Sequence, residues 1–192
     1  MILGLTGGYG SGKDVIADYL VEKKGFLKIS LSDILRQECK EARKELTREN
    51  LTKKGNEMRR KFGPWILGKI ARERIDPSKD YAVVSIRNPA EVKELKRLRN
   101  FFLIHVTGPT ELRYKRVLQR DNGEEKYSSI QEFLETEKRE LQPKLGDKDA
   151  IDLEGVFAKA NIILDNKYED VKELYKVVDR MYSDIRSGKV KR

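Results

Sequence analysis

The sequence predicts an α/β domain in three layers, with a five-stranded parallel sheet between helices. Three observations carry that expectation. Five short apolar runs alternate with segments of helical periodicity, the pattern of parallel strands joined by helical crossovers. The first run, Met1 to Thr6, is continuous, as expected of a strand buried on both faces. The length of 192 residues suits one core with insertions and is short for two domains.

After the first strand, Gly7-Gly8-Tyr9-Gly10-Ser11-Gly12-Lys13 leads into Asp14 to Lys24, where Val15, Ile16, Tyr19 and Leu20 recur at helical spacing and Gly25 is placed to end the helix. Phe26 to Leu31 reads as the second strand, with Ser32 and Asp33 as N-cap residues for a helix through Ile34, Leu35 and Cys39. The chain continues to Arg74 as mostly helix, broken near Gly63-Pro64. Tyr81 to Ile86 is the third strand, and Asn88-Pro89 signals a helix over Ala90 to Arg99. Phe101 to Val106 is the fourth strand and Thr110 to Arg120 a helix. From Asp121 to about Asp149 the chain is charge-rich, with a second break at Pro143 to Gly146. Ala160 to Leu164 is the fifth strand, and Tyr168 to Ser187 the last helix, with Val171, Leu174, Tyr175, Val178 and Met181 as its apolar stripe. His105 reads as a hydrogen-bonded core residue, and Cys39 and Trp65 as helix residues used in packing.

Composition removes several function classes. Charged residues make up 38%, against about 25% in an average domain, yet no segment is low-complexity, so the excess reads as surface. The longest apolar runs fall far short of the roughly 20 residues that span a bilayer, so no membrane partner is expected. The N-terminus carries no basic leader or small-residue cleavage site, which gives a cytoplasmic expectation. One cysteine and one histidine exclude an internal disulfide and are too few for a structural zinc or zinc deaminase site. Metal chemistry falls to carboxylates. The net charge of +9 favours polyanionic partners, with nucleic acid and phosphorylated metabolites both candidates, and +7 of it lies between Arg36 and Arg74.

Gly7-x4-Gly12-Lys13 has the spacing of a phosphate loop and the context such a loop requires, after a buried strand and opening a helix. Glycines let successive N–H groups curl around one anion, the helix N-terminus adds positive potential, and Lys13 reaches the β and γ phosphates. Gly7, Gly8, Gly10, Ser11, Gly12 and Lys13 are therefore the expected ATP-binding residues. Position 14, where a Ser or Thr hydroxyl ligates Mg²⁺ in the common pattern, holds Asp14. Its carboxylate is a hard ligand for Mg²⁺, and at a helix start it is also a partner for the dipole; both readings stand.

The run Gly-Ser-Gly-Lys-Asp resembles the phosphate loop of phage deoxynucleoside monophosphate kinases and animal phosphomevalonate kinases, in which Lys-Asp also replaces Lys-Ser/Thr. Ile29-Ser30-Leu31-Ser32-Asp33-Ile34-Leu35-Arg36 resembles the strand-to-helix element of adenylate-kinase-like enzymes. That resemblance makes Arg36 the grip on the acceptor phosphate, a role a planar fork suits, and sets Asp33 near the reacting phosphates. Ser85-Ile86-Arg87-Asn88-Pro89 follows the third strand where related kinases carry a phosphate-binding arginine, matched by Arg87. Their usual acid is absent from Val84 and Ser85. Leu112 to Asp121 looks like the helix entering the lid of nucleotide and dephospho-coenzyme A kinases, with Arg116 and Arg120 facing the transferring phosphoryl group. Asp165-Asn166-Lys167 resembles the loop beside the adenine, implying base contact by Asn166. The whole chain is similar to proteins described as dephospho-coenzyme A kinase-related or nucleoside monophosphate kinase-like, and from that likeness Arg59 is a further acceptor-site residue.

The resemblance implies a P-loop NTPase fold over residues 1–192, with a helical acceptor flap at about 33–75 and a lid at about 120–149. The expected function is transfer of the γ-phosphoryl group of ATP, with Mg²⁺, to a nucleoside or deoxynucleoside monophosphate. Lys13, Asp33, Arg87, Arg116 and Arg120 would serve catalysis, Arg36, Arg59 and Arg87 would bind the acceptor, and Asp14 the metal. The alternatives are a dephospho-coenzyme A kinase-like enzyme with Asp33 as general base, and a nucleotide-binding protein without turnover.

Overall fold

The computed structural model describes residues 1–119, 127–141, 147 and 149–191. All five expected strands form: β1 (Ile2–Thr6), β2 (Leu27–Ser30), β3 (Tyr81–Val84), β4 (Phe101–Thr107) and β5 (Ile162–Asp165). They lie in one parallel sheet of order β2-β3-β1-β4-β5. β1 is central and buried along its whole length, which is why its sequence reads as a continuous apolar run.

Nine helices are described: α1 (Lys13–Lys24), α2 (Leu31–Glu41), α3 (Arg48–Phe62), α4 (Ile66–Glu73), α5 (Pro89–Leu95), α6 (Thr110–Leu118), α7 (Ile130–Leu141), α8 (Leu153–Phe157) and α9 (Val171–Arg186). Alternation along the strands divides the core. Ile2, Tyr81, Val83, Phe101 and Leu103 face the layer of α2, α4, α5 and α8. Leu3, Leu5, Ala82, Val84, Phe102 and Ile104 face α1 and α9 through Ile16, Leu20, Leu174 and Val178. This is the three-layer α/β architecture expected of a P-loop NTPase.

Several boundaries differ from expectation, each for a local reason. α2 starts at Leu31 with Ser30 as N-cap, so Ser32 and Asp33 lie in its first turn instead of capping it. α5 ends at Leu95 and not at Arg99, while its start is firm: the Asn88 side chain accepts from Ala90 N–H at 2.9 Å and Glu91 accepts from Asn88 N–H at 3.1 Å, a capping box with Pro89 following. The break at Gly63-Pro64 separates α3 from α4, but Trp65 is 47% exposed, its ring lying over Gly63 instead of in the core. His105 is half-buried and stacks on Phe157 with ring centroids 3.8 Å apart, so among the described residues packing takes the place of the expected hydrogen bond. Burial and the Arg113 charge hold its pKa below the ordinary 6.5.

Candidate phosphate loop and anion-binding cavity

The glycine-rich loop runs from the C-terminal end of β1 to the first turn of α1, at the sheet edge where ligands of open α/β sheets sit. Gly10 and Gly12 take φ values of 66° and 92°, which L side chains adopt only under strain. The Ser11 hydroxyl is fully buried within the loop and has no hydrogen-bond partner among the described residues. Lys13 and Asp14 open α1, with Lys13 Nζ 3.7 Å from the Asp14 carboxylate.

Two side chains fix the back of the loop. Asn166, buried just after β5, donates from Nδ2 to the Ser11 carbonyl at 2.8 Å, and a Cβ on Gly12 would run into that amide. Arg116 of α6 donates to the carbonyls of Gly10 at 3.3 Å and Asn166 at 3.2 Å, and to Asn166 Oδ1 at 3.2 Å. Farther round, Arg113 of α6 is buried against Glu137 of α7, with Nη2 donating to Oε2 at 2.9 Å and Nη1 to the Tyr9 carbonyl at 3.2 Å. The Tyr9 ring packs edge-on against Tyr127 and Phe133, and Val117 completes that cluster.

A cavity of about 350 Å³ opens beside the loop, lined by Lys13, Asp14, Asp33, Arg36, Arg48, Arg59 and Arg87 among others. Arg36 stands on α2, which follows β2 directly, and Arg87 lies in the loop just after β3; the two strands are neighbours in the sheet. Arg36 Nη1 donates to Asp33 at 2.6 Å and to the Ser32 hydroxyl at 2.9 Å. Ser32 in turn lies 3.2 Å from Ser85 and 2.8 Å from Ser30, so three hydroxyls form one wall. Ser85 has φ 63°, a left-handed conformation uncommon for a residue with a side chain. A smaller hollow inside the loop shares Tyr9, Lys13, Ser85 and Arg87 with the larger cavity. Those four residues form the junction of the two spaces.

Comparison with known proteins bears on this geometry. The family model described as an AAA domain matches residues 3–143, a span that holds the loop and most of the cavity. This chain belongs to the AAA-domain family. A UPF0200 protein of Sulfurisphaera tokodaii is 30% identical over 165 residues, covering 86% of each chain. UPF0200 protein TK1334 of Thermococcus kodakarensis is 30% identical over 195 residues, covering 96% of this chain and all of the relative. Among solved structures, shikimate kinase from Acinetobacter baumannii superposes with a TM-score of 0.54 at 14% identity, covering 99% of this chain and 95% of that one. A sugar kinase from Janibacter matches with a TM-score of 0.54 at 15% identity, covering 100% and 98%. At that identity the likeness is one of fold.

In this AAA domain the sequence-predicted residues fall into three groups. Lys13, Asp14, Asp33, Arg36 and Arg87 line the cavity together. Arg59 also borders it, but its guanidinium is buried and donates to Glu91 at 2.9 and 3.1 Å, a partner that sequence spacing does not disclose. Arg116 and Asn166 brace the loop from behind: Asn166 donates to the Ser11 carbonyl, and Arg116 donates to the Gly10 and Asn166 carbonyls and to Asn166 Oδ1, contacts that sequence spacing does not disclose. Arg120 lies outside the described residues. Tyr9, Arg48 and Ser85 belong to the site and were missed. Tyr9 stands inside the loop motif, and the positive φ at Ser85 coincides with the missing acid noted in the sequence. The described residues contain no cluster of three or more His, Cys, Asp or Glu side chains suited to a metal, and no helix long and apolar enough to cross a membrane.

Proposed function

We propose that this AAA domain is an ATP-dependent phosphotransferase whose acceptor is the phosphate of a nucleoside or deoxynucleoside monophosphate. The observation that carries this reading is the junction: an arginine-rich cavity and the hollow of the phosphate loop share Lys13 and Arg87. A donor held by the loop and an anionic acceptor in the cavity would meet there.

The loop suits ATP. It offers N–H groups around glycines of positive φ, a buried Ser11 hydroxyl in need of a partner, and a lysine at the helix start. Mg²⁺ fits a site with one protein carboxylate, Asp14, because that ion keeps several waters and takes further ligands from phosphate oxygens. Bound there, Mg²⁺-ATP supplies the phosphoryl group and neutralises part of its charge. Lys13 orients the donor phosphates, while Arg36 and Arg87 hold the acceptor oxygens and offset repulsion between the two anions. No residue forms a covalent intermediate in this scheme, so catalysis is positioning and charge stabilisation.

The test is ADP release from Mg²⁺-ATP over a panel of ribo- and deoxyribonucleoside monophosphates plus dephospho-coenzyme A. Turnover with one monophosphate, abolished by Lys13→Ala, is the expected result. Turnover with dephospho-coenzyme A alone, abolished by Asp33→Asn, would instead favour transfer to a hydroxyl with Asp33 as base. ATP binding with silence across the panel would refute the kinase reading. With an active acceptor in hand, Asp14→Ser should change the Mg²⁺ dependence; an unchanged titration would remove Asp14 from the metal.

A further inference from the structure

We propose that Glu137 is a positioning residue for the donor site: through Arg113 it draws the Tyr9 carbonyl out of the phosphate loop, and so sets how the loop presents its N–H groups to phosphate. This rests on reading the loop as the site of Mg²⁺-ATP.

An anion site built from backbone needs its N–H groups turned toward the ligand and its carbonyls turned away. A peptide is planar and trans, so its C=O and N–H point in opposite directions, and a donor that captures one carbonyl also aims the N–H of the next residue. Three successive carbonyls of the loop are captured by side chains. Arg113 takes that of Tyr9 at 3.2 Å, Arg116 that of Gly10 at 3.3 Å and Asn166 that of Ser11 at 2.8 Å. The Ser11 N–H closes the turn on the Gly8 carbonyl at 3.4 Å, so the groups aimed in this way are the N–H of Gly10 and of Gly12, both of left-handed φ. Arg116 and Asn166 are the rear struts of the loop, and Arg113 is the front one.

The front strut takes its position from α7. Phe133 and Glu137 of that helix are buried, and their spacing of four puts them on one face. Both meet the loop. Phe133 packs edge-on against the Tyr9 ring, and Glu137 accepts from both terminal nitrogens of Arg113, from Nη2 at 2.9 Å. Arg113 Nε donates to the Gly108 carbonyl at 3.1 Å, so the guanidinium is held from three directions, and its place follows from where the Glu137 carboxylate stands. Gly8 makes room for that carboxylate, because a Cβ there would run into Glu137 Oε1. An acid so close to a phosphate loop would repel a polyanion if it stood alone. Paired with Arg113 it contributes geometry with no net charge.

The test is calorimetric binding of Mg²⁺-ATP and of inorganic tripolyphosphate with Mg²⁺, with circular dichroism melts on the same samples. The proteins are the wild type, Glu137→Ala, Glu137→Gln, and Arg113→Met combined with Glu137→Leu. Glu94→Gln is the control, since Glu94 is a buried acid paired with Arg72 at 3.0 Å that lines neither cavity. Glu137→Ala should raise both Kd values alike, by at least tenfold, and Glu137→Gln, which still accepts from Arg113, should recover most of the loss. The double variant buries no unpaired charge, so its Tm should lie nearer the wild type than that of Glu137→Ala, while its Kd values stay raised because the Tyr9 carbonyl has lost its donor. Glu94→Gln should leave both Kd values within twofold. Affinity that returns with Tm in the double variant, or a tripolyphosphate Kd unchanged in Glu137→Ala, would overturn the positioning role. Failure of the wild type to bind Mg²⁺-ATP would overturn both this role and the donor reading. The readout is donor binding alone, so a chain that binds Mg²⁺-ATP and turns over no acceptor loses the kinase reading and keeps this one.

Discussion

Glu91 joins the core to the candidate site, and its removal should be costly. Its carboxylate is wholly buried, and Arg59, its partner, is 3% exposed. One oxygen accepts from Arg59 and the other from the backbone N–H groups of Arg87, at 2.8 Å, and Asn88. Glu91→Ala leaves a buried guanidinium without its counter-charge and two N–H groups without an acceptor. Removing one partner of a buried ion pair costs about 3–5 kcal/mol. For a chain of this size about 1 kcal/mol shifts Tm by roughly 2–4 °C, so a fall on the order of 6–20 °C is expected. Thermal melts followed by circular dichroism, with urea unfolding to give the free energy, measure it. Arg59→Met with Glu91→Leu should be less damaging than the sum of the two single changes, because the doubly altered core holds no unpaired charge. A loss below about 1 kcal/mol in Glu91→Ala, or additivity in the double variant, would refute the assignment.

Other substitutions probe the rest of the site. Tyr9→Phe removes a buried hydroxyl that has no partner among the described residues and keeps the ring, so the unfolding free energy should hold or rise, by up to about 1–3 kcal/mol of recovered desolvation, and Tm with it; a clear fall in Tm would show that the hydroxyl is bonded. Asn166→Ala releases the Ser11 carbonyl and one Arg116 contact, and should raise the Kd for Mg²⁺-ATP by about tenfold or more, since a hydrogen bond to a charged group contributes about 1.5–3 kcal/mol; an unchanged Kd by calorimetry would count against the bracing role. His105 is held below its ordinary pKa, chiefly by burial, so the unfolded chain binds the extra proton first. Its contribution is complete above pH 6.5 and is lost as pH falls towards the folded-state value. His105→Phe should therefore flatten the decline of Tm between pH 7 and 5, and an identical slope in both proteins would refute it.

Much of the fold was legible because local signals and the buried sheet agree. The continuous apolar run of β1, the glycine loop and the αL Gly25 that closes α1 all follow from residue type alone. Arg36 and Arg87 were legible as neighbours because each follows a strand whose order the α/β pattern constrains. The helices α7 and α8 were not, since one lies in a charge-rich stretch between two breaks and the other is five residues long. Contacts were not legible where a distant partner decides them. Arg59 depends on Glu91, Asn166 on a carbonyl 155 positions earlier, and Arg48 on the face of Tyr9. Trp65 misled because a large apolar side chain beside a glycine turn can cover that turn and stay half in solvent.

The bracing of the phosphate loop by Asn166 and Arg116 has a kinetic consequence. Ordering a loop of this length around an anion ordinarily removes about 1–2 kcal/mol of backbone freedom per residue, and here much of that ordering comes with folding itself. An incoming polyanion then meets a loop already held in one conformation by Asn166 and Arg116, in the field of a strongly basic chain. Capture should proceed in a single fast phase whose rate falls steeply with ionic strength, with any slower phase belonging to the acceptor side of the molecule.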